Sequence, residues 1–148
     1  MKPEYEQFKN DLLFEQSQLE IVVSKIKEIK DIPSEINTAA LATYLMNFYN
    51  GIENIMKRCA KEYYKKMPKG DGWHKELLQQ SFTHNKSKIP LFDKNIVDKL
   101  YNYLLFRHFF IHGYGFKLNR DKLKSLVDDI DKLWIEIKNC VAEFIARV

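Results

Sequence analysis

A single period constrains this chain more than anything else in it. From Leu123 onward, Leu126, Ile130, Leu133, Ile137, Val141, Phe144 and Val148 follow at steps of three and four, the spacing that lines one face of an α-helix. The same period runs upstream. Tyr5, Phe8, Leu12, Leu19, Val22, Val23, Ile26 and Ile29 mark a first helix over residues 4–30. Leu41, Tyr44, Leu45, Phe48, Ile52, Ile55, Met56, Cys59 and Tyr63 mark a long second one. Trp73 to Phe82 reads as a short third, and Ile96, Val97, Leu100, Tyr103 and Leu104 open a fourth. No stretch alternates apolar and polar residues as a half-buried strand does. The fold class expected is therefore all-α, a mostly antiparallel bundle of about five helices, four long and one short. The 148 residues fit one domain, 1–148.

Local chemistry sets the boundaries. Pro33 pushes the residue before it out of the α region and ends the first helix. Ser34, Asp71 and Asp93 are each placed to cap a following helix through a side-chain oxygen, and Asn119 or Asp121 to cap the last. Met67 to Gly72 is a cluster of helix breakers, and residues 83–92 form the one long loop. Gly51, inside the second helix, predicts a close helix crossing. Val127, Trp134 and Ile145 widen the apolar face of the last helix and predict surface left over for a partner.

Tyr101 to Phe116 is so apolar that it should be buried, yet it contains Arg107, His108 and His112. Burying a charge without a partner is costly. Some of this has a structural explanation. His112, just before Gly113, could simply interact with the helix dipole, and Arg107 could pair with an acid on a neighbouring helix. His108 and His112, one turn apart, could also bind zinc, although no Glu stands between them and no carboxylate follows closely. The chemical reading is RNA cleavage without a metal. Imidazole suits the two proton transfers, and the planar guanidinium suits the phosphate. On a regular helix, however, residues five apart are separated by roughly 140°. Arg107 and His112 need a deformed last turn, or the same motif brought in by a second copy about a twofold axis. Tyr101, Tyr103, Phe106, Phe109, Phe110 and Phe116 are then core or the walls of that dimer interface. His74 and His84 read as solvated surface residues. The lysines at 65, 66, 69, 86, 88 and 94 gather near loops, as a solvated face or an RNA contact.

A net charge of +4 permits a phosphate-bearing partner without requiring one. Cys59 and Cys140 form neither a disulfide framework nor a zinc spacing and are expected as buried thiols. No apolar run reaches the roughly 18 residues of a membrane span, the N-terminus is unlike a signal peptide, and a cytoplasmic location is expected, with no membrane contact.

The segment Arg107-His108-Phe109-Phe110-Ile111-His112-Gly113-Tyr114 resembles the motif of HEPN domains, an Arg and a His separated by four to six residues near the end of a late helix in an all-α bundle. The form with four intervening residues and a Tyr two after the His resembles the HepT-like proteins in particular. That resemblance implies a metal-independent endoribonuclease toxin of a two-gene module, without a cofactor. It implies a homodimer in which the Arg and His of both protomers line one cleft. It also implies a minimal, MntA-like nucleotidyltransferase antitoxin that adds AMP to the motif tyrosine. By position, Arg107 would hold the scissile phosphate, His112 would act as acid or base, His108 would support the site, and Tyr114 would be modified. The competing reading is a non-catalytic HEPN module that binds a nucleotidyltransferase or a nucleotide and cleaves nothing.

Overall fold

In the computed structural model the periods become five α-helices: α1 (Glu6–Ile29), α2 (Glu35–Cys59), α3 (Trp73–Gln80), α4 (Lys94–Phe109) and α5 (Arg120–Arg147). The structure describes residues 3–32, 34–82, 88–114 and 120–148. Among these the chain is an all-α bundle, as the periodicity predicts. A 3₁₀ turn, Pro3–Tyr5, precedes α1, and wide π-helical turns, Ala60–Tyr64 and Phe110–Tyr114, extend α2 and α4.

Two of the predicted caps form. Ser34 Oγ accepts from Asn37 N at 3.0 Å and Asp93 Oδ1 from Ile96 N at 2.9 Å, each satisfying one of the free amides of a first turn. Asp71 does not cap α3. Gly72 takes that place at φ 77°, a left-handed conformation with no side chain to offer. Asn119 lies outside the described residues.

Side-chain contacts give the helix directions. Arg58 of α2 pairs with Asp11 and Glu15 of α1, while Gly51 lies over Leu19, so residue numbers fall on one helix as they rise on the other. Lys30 reaches Asp131 while Lys9 reaches the Val148 carbonyl, which sets α1 antiparallel to α5. Lys99 pairs with Glu136, and the Tyr103 hydroxyl donates to the Leu126 carbonyl at 2.7 Å, which sets α4 antiparallel to α5. The long helices therefore alternate in direction around one core to which all five contribute. Val127 and Trp134 are part of that core. The extra width of α5 is used inside the chain, contrary to the partner surface expected from it, because Trp134 packs on Phe48 and its Nε1–H donates to Glu20 of α1. Cys59 is buried and Cys140 half-buried, both free thiols. No described helix is long and apolar enough to cross a membrane.

Gly51 does mark a close crossing. A Cβ there would stand 2.9 Å from Leu19 Cγ, with a Leu19 methyl nearer still. Gly51→Ala gains up to ~1 kcal/mol of helix propensity, but crowding a filled core costs ~1–3 kcal/mol. The expected result is a net loss of about 1 kcal/mol in urea unfolding, and a smaller loss or a gain when the same change is made in a Leu19→Ala background, where the contact is gone. A stabilised Gly51→Ala protein would show that the contact relaxes freely.

Candidate active site

The site is built where α4 ends against the middle of α2. Buried Tyr103 and Phe106 anchor α4 to the core, the first through its bond to Leu126. One turn on, the helix surfaces. Leu105 is 40% exposed, Phe109 39% and Ile111 50%, and His108 and His112 are exposed with them. Leu105, His108, Phe109 and His112 fall at i, i+3, i+4 and i+7, one stripe of a helix. The two histidines thus sit within an exposed apolar band, their ring centroids 4.2 Å apart.

The aromatic expectations divide accordingly. Tyr103 and Phe106 belong to this chain's own core and cannot wall an interface. Tyr101 and Phe110 are half-buried against that core. Phe109, together with Leu105 and Ile111, which the sequence pattern did not single out, forms the apolar surface. Phe116 lies outside the described residues.

Arg107 is half-buried, and its Nε–H donates to Asn50 Oδ1 on α2 at 2.6 Å. The structural alternative supposed a carboxylate partner, but among the described residues Arg107 is in no ion pair, and its holder is a neutral amide. The deformed last turn is also present. From Phe110 to Tyr114 the backbone follows i→i+5 hydrogen bonding, a wider turn that brings residues five apart closer to one face than an α-helix does. The widening takes in the second half of the interval from Arg107 to His112 and narrows their angular separation. Tyr114 ends this turn, with its side chain outside the described residues, as is all of His84.

A buried polar group adjoins Asn50. Tyr49 is fully buried, and its hydroxyl has no hydrogen-bond partner among the described residues. Burial, reinforced by the Glu53 carboxylate and opposed by Arg107, pushes this phenol up. Glu53 is only 2% exposed and contacts His74 Nδ1 at 2.5 Å. His74 stacks on Trp73, whose ring carries Lys57 Nζ 4.8 Å from its centroid. His74, in the first turn of α3, is therefore not the solvated surface residue expected of it. It closes off a carboxylate that would otherwise be buried alone, which is costly.

Asn50 and Glu53 are the residues that sequence reasoning missed. Both lie in α2 among apolar neighbours, and a polar residue between Tyr49 and Gly51 was the available signal. No group of three or more His, Cys, Asp or Glu among the described residues could hold a metal ion.

Residues 40–148 match the family model described as HepT-like protein. The chain belongs to the HepT-like family. No curated protein and no solved structure matches it. The match covers most of α2 and everything after it, so both Asn50 and the Arg107 motif lie within the part that carries HepT-like character.

Proposed function

We propose that this HepT-like protein is the toxin of a toxin–antitoxin module, a metal-independent endoribonuclease that cuts cellular mRNA or tRNA in the cytoplasm. The observation that carries the reading is the juxtaposition at the end of α4. There, the exposed imidazoles of His108 and His112 lie 4.2 Å apart, and His108 directly follows an arginine held by a neutral partner. In the reaction, a base takes the proton of a 2′-hydroxyl, whose oxygen attacks the adjacent phosphorus. The bond to the 5′-oxygen breaks as an acid protonates that oxygen, leaving a 2′,3′-cyclic phosphate and a 5′-hydroxyl. His112 acts as acid or base, His108 supports it, and Arg107 balances the charge that builds on phosphorus. The active form is a homodimer with the Leu105–Phe109–Ile111 surface against its copy, so that each Arg107 works with the other protomer's His112.

Control falls to Tyr114. A minimal nucleotidyltransferase antitoxin transfers AMP to it. The phenol oxygen attacks the α-phosphorus of ATP, loses its proton, and pyrophosphate leaves. Co-expression with such an enzyme is expected to add one or more AMP masses to the protein, and Tyr114→Phe to abolish the gain. An unchanged mass on co-expression would remove the modification and leave the nuclease standing.

Expression in cells tests the nuclease itself. Growth arrest and RNA fragments with 2′,3′-cyclic phosphate ends are expected with His112 and not with His112→Ala. Equal arrest with both would favour the non-catalytic module.

A further inference from the structure

We infer that Asn50 is a positioning residue which determines the edge of the Arg107 guanidinium that meets the phosphate, an inference that rests on the nuclease reading. A guanidinium has two forked edges, one formed by Nε and an Nη, the other by both Nη atoms. The Nε–H of Arg107 is taken by Asn50 Oδ1 at 2.6 Å. Among the described residues the edge formed by both Nη atoms is then the fork still whole, and a whole fork is what binds two phosphate oxygens at once.

The chemistry of the holder fits this role. A carboxylate would hold Arg107 more strongly, but it would offset the charge that the phosphate requires. An amide oxygen fixes the geometry and leaves the full positive charge. The holder is itself held. Tyr49 before it is fully buried, and Gly51 after it is pressed against Leu19, so the α2 backbone at Asn50 has little freedom to drift.

Two readouts test the inference. The first needs no activity: the ¹⁵N-resolved Nε–H signal of Arg107, assigned by its loss in Arg107→Lys. Asn50→Ala is expected to speed solvent exchange of that proton at least about tenfold, while Asn50→Asp, which keeps an acceptor, preserves the slow signal. The second is cleavage of an RNA bearing a single Rp or Sp phosphorothioate at the cut site. Asn50→Ala is expected to lower kcat about 10–100-fold with KM nearly unchanged and to weaken the preference between diastereomers. Asn50→Asp is expected to raise KM, because its added charge repels the phosphate. An Arg107 signal unmoved by Asn50→Ala overturns the inference, as does wild-type diastereomer preference in that variant. Equal cleavage by the original protein and His112→Ala would instead overturn the nuclease reading and the phosphate part of the inference with it. The Arg107 signal would still report whether Asn50 holds the side chain.

Discussion

Replacing His112 with Ala is expected to slow RNA cleavage by the purified protein about 10²–10⁴-fold, the usual contribution of a positioned acid or base. Arg107→Ala is expected to cost about 10²–10³-fold through loss of charge stabilisation on the phosphorane. Arg107→Lys keeps the charge but has neither the fork nor the Nε–H that Asn50 receives, and so should recover little of the rate. The double variant should be barely slower than the worse single one, because groups acting on one transition state are not additive. His108→Ala should cost less than His112→Ala if its role is to support the neighbouring ring 4.2 Å away. Single-turnover rates on a short RNA, with unfolding midpoints as a control, would read all of these. Single variants that each cut within threefold of the original protein would remove the motif from the chemistry.

The largest stability effect should come from Phe48→Ala. Phe48 is fully buried, with its ring 5.5 Å from that of Tyr103 on α4 and 6.2 Å from that of Trp134 on α5. Truncation opens a cavity between three helices and is expected to cost ~3–5 kcal/mol, including two aromatic pairs of ~0.5–1.5 kcal/mol each. For a domain of this size, that lowers Tm by about 6–20 °C. Phe14→Ala, at a position 57% exposed, should stay within ~0.5 kcal/mol and serves as the control. A loss below ~1 kcal/mol at Phe48 would mean that the core there is looser than the packing indicates. Because Asn50 lies two residues on, Phe48→Ala should also disturb the hold on Arg107.

The architecture was legible because apolar periodicity and tertiary burial coincide along α1, α2 and α5. Leu123, Leu126, Ile130, Leu133, Ile137, Val141 and Phe144 read as one face and are one face. Caps at Ser34 and Asp93 were legible because a side-chain oxygen with free amides ahead of it is a local matter. The cap of α3 was not, since backbone conformation at Gly72 decided it. Periodicity likewise misjudged Val127 and Trp134, because it cannot say whether a second apolar strip meets another helix of the same chain or a partner.

The site was half legible. Arg107 and the two histidines stood out as polar groups in an apolar run. Asn50 and Glu53 did not, because their importance comes from what α4 and α3 bring to them across 57 and 21 residues, a relation that no local pattern encodes. The widened turn after Phe109 was anticipated only as a geometric need of Arg107 and His112.

The claim that one protomer's Arg107 works with the other's His112 is tested most directly by mixing. Arg107→Ala and His112→Ala, each inactive alone, are co-refolded at equal amounts so that about half of the dimers carry one of each. Each such dimer retains one complete pair out of two, and the mixture should recover about a quarter of the original cleavage rate. A mixture as inactive as its two components, with exchange of subunits verified, would contradict the shared site.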